Sequence, residues 1–143
     1  MADSLIWFDT HAHLQDDDFA SDRPAVLERA IQAGISRILL PASDMRDSRL
    51  ALELARQNSR LFCAAGCHPH AAAGFSQDSP AVWHELIQSG YKAPIVALGE
   101  IGLDYHYDFS PRPIQQDVFQ LQLDWAFEFD LPVIIHEREA AAD

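Results

Sequence analysis

Short apolar runs alternate with longer amphipathic ones along the whole chain. Leu5-Ile6-Trp7-Phe8 opens the pattern, is bounded by polar residues, and reads as a buried strand. A polar loop from Gln15 to Asp22 follows. Asp22 is placed to cap a helix running to about Ala33, with Val26, Leu27, Ala30 and Ile31 on one face and Gly34 as its stop. Ile38-Leu39-Leu40, closed by Pro41, predicts the second strand. A helix from about Met45 to Gln57 turns Leu50, Leu54 and the intervening alanines inward. Leu61-Phe62-Cys63-Ala64-Ala65 predicts the third strand, ending at Gly66. The third helix opens at Ser79-Pro80, a cap followed by proline at the first helical position. It carries Val82, Trp83, Leu86 and Ile87 and ends at Gly90. Ile95-Val96-Ala97-Leu98 predicts the fourth strand. The fourth helix opens near Ser110-Pro111 and sets Ile114, Val118, Leu121, Trp125 and Phe129 at helical spacing, a core-facing stripe. Pro132-Val133-Ile134-Ile135 predicts a fifth strand leading into His136.

Alternation of strand and helix every thirty residues or so implies right-handed βαβ crossovers and a parallel α/β sheet. The strands are nearly continuous apolar runs, as strands covered on both faces require. No linker, low-complexity tract or change of composition divides the chain, so residues 1–143 read as one domain.

The polar residues then gain a common address. In the first strand, period-two alternation lets His11 and His13 point the same way just past the strand, where two imidazoles can grip one divalent cation. An isolated His-x-His is as readily a pair of ordinary loop histidines. Three later segments change that: Gly66-Cys67-His68-Pro69-His70, Gly99-Glu100-Ile101-Gly102-Leu103-Asp104-Tyr105, and His136-Glu137. In a parallel sheet all of these project from the carboxyl edge, where barrels and open α/β sheets place their sites.

These four segments, in this order and across the whole chain, resemble the successive motifs of the TatD family of metal-dependent deoxyribonucleases and related hydrolases on a TIM barrel. Gly99 to Tyr105 is the specific part of the match; His-x-His alone is not. The resemblance implies that His11 and His13 hold one metal, Glu100 bridges two through its two oxygens, and His136 holds the second. Nitrogen and carboxylate ligands suit Zn²⁺ or Mn²⁺, whereas Mg²⁺ prefers oxygen. Two such ions can activate water and steady both oxygens of an in-line attack on phosphorus. His68 is the candidate for phosphate contact or proton transfer and His70 a second one, each equally readable as structural in its turn. Asp104 and Tyr105 either orient ligands, act in catalysis or line the substrate groove. His84 and His106 read as surface or packing residues.

The resemblance also implies a shortfall. A full (β/α)₈ barrel takes about 250 residues and eight strands; 143 residues supply five strands and four helices. A further metal-ligating His and a late Asp would come from strands beyond His136, and Glu137-Arg138-Glu139 stands where the family has Ser or Thr followed by Arg. The chain therefore reads as the N-terminal half of such a barrel. Both outer strands then lack neighbours, which favours self-association or pairing with a complementing C-terminal half and impairs two-metal catalysis.

Composition narrows the function classes. Hydrophobic residues make up 48% of the chain, and the mean hydropathy of −0.12 is that of a soluble globular protein. There is no run of about 18 apolar residues, hence no membrane span, and no basic segment followed by an apolar one, so the cytoplasm is the expected compartment. Ten Lys+Arg against 22 Asp+Glu give a net charge of −12, which argues against a broad basic nucleic-acid footprint but not against a small site where metal ions supply positive charge. Cys63 and Cys67, within one strand and its turn, are spaced poorly for a disulfide and read as buried small hydrophobes. The leading reading is 3'-5' exonuclease-like phosphodiester hydrolysis of DNA. Hydrolysis of an amide, lactone or aminoacyl ester on the same metals, or a non-catalytic half barrel bound to another chain, remains open.

Overall fold

The computed structural model describes residues 6–77 and 80–143. Leu5, read as part of the first strand, and Ser79, read as a helix cap, lie outside the described residues. Five strands form one parallel sheet in chain order: β1 (Trp7–Asp9), β2 (Ile35–Leu40), β3 (Leu61–Ala65), β4 (Ile95–Asp104) and β5 (Val133–Arg138). Helices α1 (Arg23–Gln32), α2 (Met45–Gln57), α3 (Pro80–Gly90) and α4 (Arg112–Glu128) connect them in turn. Two 3-10 segments, Asp17–Phe19 and Pro69–Gln77, occupy the loops after β1 and β3. The alternating architecture is the one expected from the apolar pattern, and it is TIM-barrel-like.

The core lies between the sheet and its helices. Leu40, Cys63, Ile95 and Leu98 are buried from the strands, and Leu52, Trp83, Ile87 and Trp125 from the helices. Phe75 stacks on Trp83 with ring centres 5.5 Å apart, tying the 3-10 segment after β3 to α3. Helix α1 packs least tightly: none of its residues is buried, although Val26, Leu27 and Ala30 rest against the core. Asp22 stands at its N-cap without a side-chain cap bond, whereas Asp44 caps α2 by accepting the Asp47 N–H at 2.8 Å.

Several expectations are corrected. Ile114 is 39% exposed, because Gln115 and Gln122 occupy the sheet-facing side of α4 together with Val118 and Trp125. In α2, Ala51, Leu52 and Ala55 are buried, while Leu50 and Leu54 are only partly covered. Finally, β4 and β5 continue past Leu98 and Ile135, so Glu100 and His136 lie within strands and not beyond them. The first strand, read as buried, is instead exposed at Ile6, Trp7 and Phe8, because β1 is an outer strand; Ile135 on the other outer strand, β5, is exposed as well, and neither strand has a further neighbour among the described residues.

Candidate metal centre

Strand β4 contains the irregularity that presents Glu100. Leu98 pairs with Val133 and Ile101 with Ile135, so β4 spends one residue more than β5 over this interval. Such a bulge re-aims a side chain relative to the regular pleat. Gly99 makes it sterically possible: its φ of 150° is closed to ordinary side chains, and a Cβ there would lie 2.7 Å from that of Ile134. Gly66, at the end of β3, must also be bare, since a Cβ would meet the Gly99 Cα at 2.8 Å. The Gly99–Glu100 peptide is cis. Ala42 locks this unit from across the sheet: its N–H donates to the Gly99 carbonyl at 3.0 Å, and its carbonyl accepts the Glu100 N–H at 2.7 Å.

With its backbone fixed, Glu100 reaches two ways. Its Oε2 lies 3.4 Å from His11 Nε2, and its Oε1 lies 3.2 Å from His136 Nδ1. Donors bound at about 2.0–2.1 Å to one tetrahedral ion stand roughly 3.3 Å apart, so both separations match pairs of ligands sharing an ion. His11, His13 and Glu100 have ligand atoms all within 4.8 Å of one another. His68, His70 and His136 form a second such group. The donor set of imidazoles and a carboxylate fits a borderline divalent cation.

Asp104 is the fully buried anion beneath the second group. Its Oδ2 accepts from His70 Nε2 at 2.6 Å and from His136 Nε2 at 3.1 Å, and its Oδ1 accepts the N–H groups of His106 and Tyr107 at 3.0 Å each. Burial alone would raise the pKa of this carboxyl. The hydrogen bonds from Tyr107, His70, His136 and His106 outweigh burial and hold it well below the usual carboxylate range. An ionised Asp104 fixes the proton of His136 on Nε2 and leaves Nδ1, beside Glu100, as a free lone pair.

His68 is held neutral. Burial pushes its pKa down to about 4, reinforced by the facing His136 and His70. Its Nδ1 accepts the His70 N–H at 3.1 Å, and its own N–H donates to the Ser43 carbonyl at 2.9 Å. Its ring stands 4.3 Å, centre to centre, from those of both His70 and His136.

The structure thus brings together His11, His13, His68, His70, Glu100, Asp104 and His136. Tyr105 is turned elsewhere. Its hydroxyl donates to Asp143 at 2.8 Å and accepts from Gln116 Nε2 at 2.8 Å, while Arg112 lies 4.4 Å from the centre of its ring. His84 and His106 pair with Glu128 and Glu139. Two residues that sequence reasoning missed position the motifs from α4. Gln115 accepts the Asp104 N–H at 2.8 Å and donates to its carbonyl at 3.0 Å. Gln122 does the same for Cys67, at 2.7 and 3.1 Å. Their signal was available: Gln115, Val118, Gln122 and Trp125 alternate three and four residues apart, so two amides interrupt a stripe that is otherwise apolar.

A parallel α/β sheet that brings two histidine-rich clusters, joined by one carboxylate, to one side defines a TIM-barrel-like α/β protein with candidate metal-binding groups. Residues 8–143 match the family described as TatD related DNase, and the chain belongs to that family. It is similar to the uncharacterized metal-dependent hydrolase YabD of Bacillus subtilis (38% identical over 136 residues, covering 95% of this chain and 52% of that protein). It is likewise 38% identical over 133 residues to the 3'-5' ssDNA/RNA exonuclease TatD of Salmonella typhimurium, covering 93% of this chain and 50% of that protein. The crystal structure of YJJV, a TatD homolog from Escherichia coli K12, superposes with a TM-score of 0.79 at 36% identity, covering 95% of this chain and 52% of that one. The chain spans about half the length of the curated relatives it matches. No helix among the described residues is long and apolar enough to cross a membrane.

Proposed function

We propose that this chain carries the principal ligands of a two-metal phosphodiesterase centre that removes nucleotides from the 3' end of single-stranded DNA or RNA. The observation that carries the reading is the splay of Glu100, whose two oxygens face His11 at 3.4 Å and His136 at 3.2 Å. In this reading His11 and His13 would hold one ion, Glu100 would serve both, and His136, oriented by Asp104, would hold the second. Bound divalent ions of this kind supply Lewis acidity and activate water for attack on phosphorus. Neutral His68, whose Nδ1 accepts the His70 N–H, carries its proton on Nε2 and is poised to donate from there to a phosphate oxygen, and His70, pinned to Asp104, keeps it in place. Similarity to the 3'-5' ssDNA/RNA exonuclease TatD of Salmonella typhimurium favours nucleic acid over an amide or lactone. The acidic composition favours a local contact with the strand end over a long basic track.

Metal stoichiometry tests the site independently of turnover. Titration of the apo chain with Mn²⁺ or Zn²⁺ should saturate at two equivalents, and Glu100→Gln should lose the second. Incubation with 5'-labelled single-stranded DNA should give a ladder shortened from the 3' end that EDTA abolishes. Two equivalents bound by Glu100→Gln with parental affinity would refute the bridging role, and metal-dependent cleavage of simple esters alone would refute the substrate class.

A further inference from the structure

The loop after β4 carries an aromatic pair that neither the fold nor the metal-ligand geometry requires. Tyr107 and Phe109 lie parallel, 7° between planes and 5.2 Å between ring centres, yet they are 47% and 65% exposed. Two large rings stacked in solvent normally need something to hold them there. Here the backbone does so. Asp108, between them, adopts a left-handed φ of 50°, and Arg112 grips its carboxylate through Nε and a terminal nitrogen, each at 2.9 Å. On one side of this turn the Tyr107 N–H is anchored on Asp104 at 3.0 Å. On the other, the buried Ser110 hydroxyl donates to the His70 carbonyl at 3.0 Å and accepts the Ala73 N–H at 2.9 Å. The pair is therefore fixed relative to the histidine cluster. The His70 ring stands edge-on to both rings, 5.6 Å from Tyr107 and 4.8 Å from Phe109. Arg138 of β5 sits 4.6 Å from the centre of the Tyr107 ring, which leaves Phe109 the more open of the two.

We infer that Tyr107 and Phe109 form a stacking platform for a nucleobase of the strand whose phosphate is held at the histidine–carboxylate centre. The inference rests on the phosphodiesterase reading above. Its chemistry answers a problem set by composition. A net charge of −12 argues against holding a polyanion through a broad basic surface. Stacking is indifferent to charge and to base identity, and so suits a site that takes successive strand ends. Arg138 adds one cation beside the platform.

The test is a binding measurement on the Mn²⁺-loaded chain. The probe is a phosphorothioate oligothymidylate with 2-aminopurine at its 3' end, and a matched oligonucleotide with an abasic 3' end serves as comparison. Stacking should quench the aminopurine emission on binding. Phe109→Ala should raise the Kd for the base-bearing probe about fivefold or more and move the abasic probe less than twofold. Phe109→Leu, which keeps bulk without a π face, should resemble alanine, and Phe109→Trp should restore the parental Kd. Unchanged Mn²⁺ affinity in each variant reports an intact centre. The platform is overturned if alanine leaves the base-bearing Kd within twofold, or if both probes weaken equally. If the parent chain binds neither probe with metal present, the phosphodiesterase reading falls and the platform with it. If the parent binds both and the variants match it, the platform alone falls.

Discussion

Replacing Asp104 with Asn perturbs the site through two imidazoles at once while nearly preserving shape. The retained amide oxygen can still accept the His106 and Tyr107 N–H groups, at 3.0 Å each in the parent. The new NH₂ would replace the oxygen that accepts from His70 at 2.6 Å and His136 at 3.1 Å. An NH₂ cannot accept from an imidazole N–H, so both rings must move their proton to Nδ1 or leave two donors facing each other. For His136, moving the proton protonates the nitrogen beside Glu100 and removes it as a ligand. Loss of one such orienting partner typically costs 10–100-fold in metal affinity, or about 1.4–2.7 kcal/mol. Of the two imidazoles affected only His136 is a ligand in this reading, so Asp104→Asn should fall within that range. Competition of the chain with a chromophoric chelator for Zn²⁺ measures this, alongside far-UV circular dichroism to confirm an unchanged fold. A Zn²⁺ affinity within twofold of the parent would refute the orienting role of Asp104.

Other consequences are equally open to measurement. In the metal-free chain His68 titrates near 4 when folded and near 6.5 when unfolded, so between these values the unfolded state binds the extra proton. Stability should therefore rise as pH increases from 4 to 6.5 and be lost on acidification through that window; urea midpoints across it should show the slope, and His68→Gln should flatten it. Gln122→Leu strands the buried N–H and carbonyl of Cys67 and should cost about 2–6 kcal/mol in urea unfolding, at ~1–3 kcal/mol per unsatisfied group. Trp125→Ala opens a cavity beneath α4, where the indole is buried with its ring centre 6.0 Å from that of Phe75. It should cost about 3–5 kcal/mol by the same measurement, and a loss under about 1 kcal/mol would mean that this face of the helix is not core.

Much of this protein could be read along the chain because the determinants are local. Apolar runs of strand length, separated by stripes of helical period, suffice to specify a parallel sheet, and α2 and β3 fall where their periodicity puts them. The sheet then carries His11, His13, the Gly66–His70 turn, Glu100 and His136 to one edge, because parallel strands end on the same side. What the pattern could not reveal is which atoms face each other. Glu100 points between His11 and His136 because β4 spends an extra residue against β5 and because Ala42 clamps the Gly99–Glu100 unit from a distant loop. The use of Asp104 as a buried partner of two histidines, the diversion of Tyr105 toward Asp143, and the glutamine clamps from α4 are likewise contacts between residues far apart in sequence. Periodicity determines which face a side chain takes, but hydrogen-bond partners are chosen only when separate elements pack, and there distance along the chain carries no information.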